Sequence, residues 1–369
     1  MKNVRNQLLL VLLSMVLLLS ACNPSTVNQP DEEELQYERF RGSFFDTFDT
    51  VVHIVGFTET EEEFQKYMER IEERFIELHQ YFDKYNTYEG VNNIKTINDN
   101  AGTEPVEVAS EIIDLILLSK EWYKEGEKKL NIAMGSVLEI WSDYRKEGMH
   151  NPRNAELPPM ELLLEAAEHM DINDVIVDAE NSTVFLADEK LRLNVGAVAK
   201  GYAAELVAQE MKKLGFKSFI INAGGDVRAV GEPLDSINKY WAVGIQDPDK
   251  ISILAAENIL DTIYLNDLSI VTSGDYERYF IVDGQIYHHL INPDTLMPTH
   301  HYRGVTIVTE DAGVADYLST VAFLLPFEES KQFIENYEGA EALWILADNS
   351  IEFTMGMGSM LKSQGATID

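Results

Sequence analysis

The chain has 369 residues, of which 45% are hydrophobic and 10% aromatic, so it can bury a substantial core and is not predicted to be disordered. It carries 29 basic and 63 acidic residues, which gives a formal net charge of −34. A chain this acidic is not predicted to bind nucleic acid, nor to lie on an anionic membrane through a basic face.

Residues 1–21 are predicted to be a targeting segment and not part of the fold. Two basic residues precede a nearly unbroken aliphatic run, residues 7–19, which is too short to span a bilayer comfortably. The run ends in Leu-Ser-Ala-Cys, which resembles the lipobox of bacterial lipoproteins, and Cys22 is the only cysteine in the chain. We therefore expect a lipid anchor at Cys22 and no disulfide. An ordinary signal peptide with a chance cysteine is the alternative interpretation.

Residues 22–37 are polar and contain an acidic run, which predicts a flexible tether. No further linker is evident, so residues 38–369 are predicted to form one compact domain. An anchor at Cys22 would hold this domain at the cell membrane, on its extracytoplasmic side.

The spacing of apolar residues predicts helices over residues 61–85, 108–125, 160–170, 198–214 and 311–324. Strands are predicted over residues 50–56, 175–178, 183–186, 191–195, 218–221, 227–230, 241–245, 262–265, 269–272, 278–282, 304–309, 343–347 and 351–354. The many consecutive strands argue for an α+β fold of mixed, largely antiparallel sheets with flanking helices, and against a doubly wound parallel sheet.

The junction at Gly196 is the most informative local pattern. The predicted strand 191–195 runs through this glycine straight into the helix that begins near Val198. Free N–H groups and the positive end of the helix dipole suit an anion such as phosphate, and Lys200 adds a positive charge. Simple turn chemistry is the alternative interpretation.

Asp316 and Thr320 lie four residues apart in a predicted helix and therefore share a face. A carboxylate and a hydroxyl at this spacing offer two hard oxygen ligands, which Mg²⁺ prefers. The alternative is a solvated aspartate and a threonine that bonds back to its own helix.

His288 and His289 precede a turn and point to opposite sides of a predicted strand, so they do not form a metal pair. A histidine there could act as a general base, or could be half-buried and bonded to the backbone. Two loops of small residues, 222–226 and 272–276, either let a ligand approach the backbone or are ordinary turns.

Five motifs in order resemble those of the ApbE family of FAD:protein FMN transferases, over about residues 44–326. Each motif is weak alone, but the ordered set is specific. The motifs are LNVGAVAKGYAAE, FIINAGGDVRAVG, SIVTSGDYERYF, HHLINPDTLMPT and AGVADYLSTVAFLLP. The resemblance implies a T-fold-like form of the predicted α+β domain, and a lipobox suits the family, many of whose members are exported lipoproteins.

The resemblance also implies a reaction, in which FAD is the substrate. The enzyme splits the diphosphate of FAD, transfers FMN to a threonine hydroxyl of an extracytoplasmic redox protein and releases AMP. It implies Mg²⁺, with Mn²⁺ as the alternative, bound by Asp316, Thr320 and the backbone carbonyl of Ala197. His289 is then the general-base candidate. The positions that match FAD-contacting residues of the family are Phe48, Lys129, Leu130, Asn131, Asn194, Lys200 and Leu290.

Some positions depart from the family pattern. Asn194 stands where an acid is usual, and Gly313 stands where some members carry a further acid. Fewer carboxylates predict fewer protein charges on the metal and more water. Two other activities stay open at this point: a non-catalytic FAD-binding lipoprotein, and an FAD pyrophosphatase that releases AMP and free FMN.

Overall fold

A computed structural model of the chain describes residues 37–250 and 258–368. The predicted signal peptide, the lipidation site Cys22 and nearly all of the tether lie outside the described residues. The chain from Tyr37 onward forms one compact unit. No described helix is both long enough and apolar enough to cross a membrane.

Most of the strands are short, and β6 to β15 follow one another with no described α-helix between them. They are β1 (Glu38–Thr47), β2 (Thr50–Thr58), β3 (Val106–Glu107), β4 (Val175–Asp178), β5 (Thr183–Leu186), β6 (Phe219–Ala223), β7 (Asp226–Val230), β8 (Trp241–Gln246), β9 (Ile259–Leu265), β10 (Ser269–Gly274), β11 (Tyr279–Val282), β12 (Gln285–His288), β13 (Ile291–Asn292), β14 (Met297–Pro298), β15 (Tyr302–Thr309), β16 (Glu341–Leu346) and β17 (Ile351–Phe353).

Five of the described α-helices precede β4, and the other four follow β5. They are α1 (Glu61–Phe82), α2 (Ile94–Asp99), α3 (Ser110–Glu125), α4 (Gly135–His150), α5 (Met160–Ala167), α6 (Ala199–Leu214), α7 (Ala312–Leu324), α8 (Phe327–Glu335) and α9 (Met355–Met360).

Eight strands form one sheet in the order β1-β2-β6-β7-β10-β15-β16-β17. Every neighbouring pair in it is antiparallel. A three-stranded sheet, β3-β5-β4, and the hairpins β8-β9, β11-β12 and β13-β14 complete the pairing of the described strands. The predicted α+β fold with largely antiparallel sheets is confirmed.

Both faces of the large sheet are buried, as β16 illustrates. Ala342 and Trp344 join the core formed with α1, α6 and α7, whereas Leu343 and Ile345 join a second core beneath the β8-β9 hairpin. Side chains alternate between the faces of a strand, so one strand contributes to both cores. Burying each large aliphatic or aromatic side chain stabilises the fold by roughly 1.5–3 kcal/mol.

Helix α1 shows how closely local sequence specifies an element. The side chain of Thr60 caps the helix by accepting a hydrogen bond from the N–H of Glu63 at 3.2 Å. The buried residues are the ones that the apolar spacing predicts, namely Phe64, Met68, Ile71, Phe75, Leu78 and Phe82.

The predicted strand at residues 191–195 is wrong. The segment joins no sheet and forms only an isolated bridge between Arg192 and Met134. Its other backbone partners are a side chain and a loop: Leu193 N–H donates to Asn98 Oδ1 at 2.7 Å, and Asn194 N–H donates to the Ile132 carbonyl at 2.8 Å. The helix that follows begins at Ala199 and ends at Gly215, whose φ of +99° favours glycine. The helical spacing also predicts that Leu214 is buried, but its side chain is exposed.

Candidate active site

The predicted site residues converge on one cavity of about 500 Å³. This volume lies within the usual range of small-molecule pockets. All predicted site residues in the described part of the chain line it: Phe48, Lys129, Leu130, Asn131, Asn194, Ala197, Lys200, His289, Leu290, Asp316 and Thr320. Another cavity, of about 810 Å³ and rich in glutamate, contains none of them.

Helices α6 and α7 approach each other closely at Gly201. A Cβ atom at this position would lie 2.4 Å from the Ala312 carbonyl oxygen, so only glycine permits the packing. The N–H of Gly201 donates to Asp316 Oδ2 at 2.9 Å. From the sequence, the free N–H groups at the start of α6 are expected to bind a phosphate. One of them, that of Gly201, instead binds the Asp316 carboxylate.

Asp316 and Thr320 lie one turn apart on α7 and face the cavity with only 7% and 6% of their surface exposed. This burial rules out the alternative of a solvated aspartate. The Thr320 hydroxyl has no hydrogen-bond partner among the described residues, while the neighbouring Ser319 hydroxyl donates to the Asp316 carbonyl at 3.0 Å. The Thr320 oxygen is thus available to a ligand.

A second buried carboxylate, that of Asp226, lies beside Asp316. Its Oδ1 accepts a hydrogen bond from Lys200 Nζ at 2.7 Å, and its buried Oδ2 has no partner within the described residues. Burial raises the pKa of Asp226. Burial, and then the charge of Asp226, raise the pKa of Asp316 well above its ordinary value, against the lowering effect of Lys200. Lys200 is hydrogen-bonded to Asp226 and acts on Asp316 only through its positive charge.

These residues fit a divalent cation. The unpartnered Asp226 Oδ2, the Asp316 carboxylate and the free Thr320 hydroxyl are hard oxygen donors, and a dication would favour the ionised form of both acids. Within residues 37–250 and 258–368, no group of three or more His, Cys, Asp or Glu side chains is arranged to hold a metal ion. The predicted ligand set contains only one such side chain, that of Asp316; its other ligands are the Thr320 hydroxyl and the carbonyl of Ala197, which lines the same cavity.

The two adjacent histidines have different environments. His288 is buried, its Nε2 donates to the Thr299 carbonyl at 2.6 Å, and its Nδ1 accepts from the Leu290 N–H at 3.2 Å. Both ring nitrogens are used by the backbone, which requires the neutral ring. Burial lowers the pKa of His288 to about 4. The backbone-bonded alternative therefore describes His288.

His289 is half-buried and faces the cavity. Its Nδ1 is enclosed and has no hydrogen-bond partner among the described residues. Burial, followed by the positive charge of Arg278, lowers the pKa of His289 to about 3. The ring is neutral at ordinary pH, as a general base must be, but so low a pKa makes it a weak base until negative charge such as a diphosphate enters the cavity and raises that pKa. That role stays a prediction.

Several of the side chains predicted to contact FAD also bond to neighbouring protein groups in the wall of the cavity. Asn194 Oδ1 accepts from the Gly196 N–H at 3.0 Å, so the amide that replaces the usual acid shapes its own turn. Asn131 donates to the Met170 carbonyl and accepts from the Ala133 N–H, both at 2.9 Å. Lys129 forms an ion pair with Asp294.

The cavity also contains charged residues that the sequence does not single out. They include Asp83, Lys84, Arg145, Asp226, Glu277 and Arg278. Three of them lie inside or directly beside motifs of the resemblance, and this is the signal that could have found them. Arg145 lies on α4, a helix that the apolar spacing does not predict.

Comparisons with known proteins agree with this fold. A family model described as the ApbE family matches residues 48–344. An FAD:protein FMN transferase of Klebsiella pneumoniae (strain 342) is 27% identical over 275 residues, covering 74% of this chain and 81% of the relative. The FAD:protein FMN transferase of Treponema pallidum (strain Nichols) is 29% identical over 276 residues, covering 72% and 73%.

Solved structures of ApbE proteins have a similar fold. The crystal structure of the ApbE protein from Thermotoga maritima has a TM-score of 0.75 and 29% identity, and the match covers 88% of this chain and 99% of that one. The flavin transferase ApbE from Vibrio cholerae has a TM-score of 0.70 at 20% identity, covering 86% and 97%, which supports the fold alone.

Proposed function

Because this chain belongs to the ApbE family, we propose that it is an FAD:protein FMN transferase. The enzyme transfers FMN from FAD to a threonine hydroxyl of an acceptor protein and releases AMP. The family membership predicted from the five motifs is confirmed. The activity named for the relatives supports the proposal, and the convergence of every described site residue on one cavity carries it.

In the proposed reaction, the threonine oxygen attacks the phosphorus of the FMN half of FAD. An O–P bond to the acceptor forms, and the P–O bond to the AMP phosphate breaks. The threonine proton leaves with the general base, and AMP carries away the electrons of the broken bond. The protein contributes mainly by positioning and electrostatic stabilisation, as is usual for phosphoryl transfer.

His289 would accept the threonine proton on a ring nitrogen. The neutral ring, the absence of competing hydrogen bonds from described residues and the position in the cavity wall support this role. His288 would hold the neighbouring backbone, because both of its nitrogens bond main-chain groups.

Asp316, Thr320 and the Ala197 carbonyl would hold Mg²⁺, which supplies positive charge to the diphosphate when it is bound. The Gly201 N–H orients the Asp316 carboxylate at 2.9 Å. Lys200 would contribute charge to the same end of the cavity. Burial lowers the pKa of Lys200, but Asp226 and Asp316 raise it more strongly, so the amine stays protonated.

We place the enzyme at the extracytoplasmic side of the cell membrane, held by a lipid on Cys22. The aliphatic run that ends in Leu-Ser-Ala-Cys supports this location. Metabolic labelling with a radioactive fatty acid tests it: the wild-type chain should be labelled, and the Cys22→Ser variant should not.

The transferase activity is tested by incubating the domain, residues 38–369, with FAD, Mg²⁺ and a threonine-containing acceptor protein. The acceptor should gain the mass of FMN less water, and one AMP should appear for each FMN transferred. Intact FAD with an unmodified acceptor would contradict the proposal.

Two controls separate the remaining activities. A pyrophosphatase would release AMP and free FMN at the same rate with and without acceptor, whereas a transferase should need the acceptor. A pure FAD-binding protein would lose only affinity in the Asp316→Ala variant, whereas a transferase should lose turnover.

A further inference from the structure

The cationic side chains of the cavity fall into two groups. The lining residues with positive charge are Lys84, Lys129, Arg145, Lys200 and Arg278. Each of the three lysines forms an ion pair with a carboxylate. In the part of the chain that the structure describes, Arg145 and Arg278 have neither an ion pair nor a hydrogen-bond partner, although acidic residues outnumber basic ones by 63 to 29.

Packing of α4 on β11 brings the two arginines together. A Cβ atom on Gly148 would lie 2.6 Å from the Phe280 ring, and the rings of Trp141 and Phe280 meet edge to face with centroids 6.4 Å apart. Arg145 lies one turn after Trp141, and Arg278 lies just before β11. Burial, and then the charge of Arg278, lower the pKa of Arg145, as expected for like charges in proximity.

The arginine pair lies on the His289 side of the cavity. Tyr279 pairs with His288 in the β11-β12 hairpin, so Arg278 and His289 lie next to each other at the same end of it. The charges that act most on Asp316 are those of Asp226 and Lys200. One part of the cavity therefore holds Asp226, Asp316 and Lys200, and another holds His289 and the arginines, while Glu277 interacts with charges of both groups.

We infer that Arg145 and Arg278 form a subsite for an acidic side chain next to the acceptor threonine. This inference rests on the proposed function. In phosphoryl transfer the attacking and leaving oxygens lie roughly in line on opposite sides of the phosphorus. With the diphosphate near Asp316 and Lys200, the threonine approaches from the side of the base, where the arginines lie.

The chemistry of the pair suits a carboxylate on a macromolecule. Each guanidinium offers planar donors that bind a carboxylate through two hydrogen bonds. Arg278 is exposed at the cavity rim, where a protein segment can reach it, and Arg145 is half-buried behind it. The pair also provides local attraction for an acidic segment on a chain whose net charge is −34.

The test uses threonine peptides in which one aspartate is moved through successive positions on either side of the threonine, each with an asparagine twin. We compare wild type with Arg278→Gln, Arg145→Gln and the matched control Arg153→Gln, whose arginine is exposed and does not line the cavity. The readouts are the KM for peptide, the KM for FAD, and peptide binding by fluorescence anisotropy.

At one position, the aspartate peptide should be the better substrate, and Arg278→Gln and Arg145→Gln should each raise its KM about tenfold. The KM for the asparagine twin should stay within about twofold, and Arg153→Gln should behave as wild type. A loss of FAD affinity with equal effects on both peptides would overturn the inference and assign the arginines to a phosphate of FAD. Equal binding of all twins to wild type would also overturn it.

Failure of the proposed function has a different signature. In that case wild type would modify no peptide and no protein acceptor and would leave FAD intact. The anisotropy measurements need no turnover, so they would still show whether the arginines bind the carboxylate.

Discussion

The two ends of the cavity are built in different ways. At the α6–α7 end, most polar groups find their partners inside the protein: the buried Glu205 carboxylate accepts from Arg228 Nε at 2.9 Å and from the Ala312 N–H at 3.0 Å, and Asp316 accepts from the Gly201 N–H. Among the described residues, the atoms left over at this end include the two oxygens that we assign to a cation, Asp226 Oδ2 and the Thr320 hydroxyl. These bonds fix the two helices and hence the Asp316 carboxylate. This end is preorganised for a small, highly charged ligand.

At the α4–β11 end, the polar groups face the cavity without protein partners. The ring nitrogens of His289 and the guanidinium groups of Arg145 and Arg278 have none among the described residues. The Nδ1 of His289 is enclosed and Arg145 is half-buried, and a polar group left unpaired in such a place is costly, so its partner is expected to arrive with the substrate. The difference suggests that one end holds the diphosphate and the other receives the acceptor.

The largest expected effect is that of Asp316→Asn. The amide keeps the shape but removes the buried charge that we assign to the cation, so FMN transfer should fall about a thousandfold or more. Stability should not fall, because the change removes repulsion with Asp226. Transfer assays, Mn²⁺ binding by electron paramagnetic resonance and urea unfolding test both parts. Transfer within about tenfold of wild type would contradict the assignment.

Arg228→Met tests whether the α6–α7 end is held by internal bonds. Arg228 and Glu205 are 1% and 6% exposed, so removing the arginine leaves a buried charge unpaired. The free energy of unfolding should fall by about 3–5 kcal/mol in urea titrations. The double variant Arg228→Met with Glu205→Gln should recover part of this loss. If the single variant unfolds like wild type, the bonds do not hold the two helices together.

His289→Gln should separate activity from stability at the α4–β11 end. Losing the base should slow transfer about a hundredfold. Stability should change little, because the ring makes no hydrogen bond to a described residue. His288→Gln is the matched control: it should cost about 2 kcal/mol of stability through its two backbone bonds. The reverse pattern would exchange the roles of the two histidines.

The smallest effect is a pH dependence of stability. The buried His288 has a pKa of about 4, below its ordinary value of 6.5, so the unfolded chain takes up a proton before the folded one does. The stabilisation that comes from keeping the His288 ring neutral is fully present above about pH 6.5. As the pH falls toward 4, the free energy of unfolding decreases by about 1.4 kcal/mol per pH unit. Urea titrations from pH 7 to 5 should show a shallower slope in His288→Gln. Equal slopes would show that this ring is not kept neutral by the fold.

Features that depend on neighbouring residues could be predicted from the sequence. The buried face of α1 and the pairing of Asp316 with Thr320 on one helix face follow directly from the helical repeat. Helix α4 is not evident, because its buried positions include two glycines and a serine and its apolar stripe is incomplete.

Features that depend on distant residues could not be predicted in this way. The segment at residues 191–195 has the composition of a strand, yet Asn98 and the loop around Ile132 provide its partners. The position of Asp226 beside Asp316, and of Arg145 beside Arg278, arises only when separate elements pack. The third metal ligand, the backbone carbonyl of Ala197, follows from the family resemblance and not from the residue types.

The most direct test of the account is anomalous diffraction from a crystal of residues 38–369 soaked with Mn²⁺ and FAD. We predict one strong peak bonded to the Asp316 carboxylate and the Thr320 hydroxyl, against the diphosphate. No peak in the cavity, or an ion elsewhere with those two oxygens turned away from it, would contradict the account.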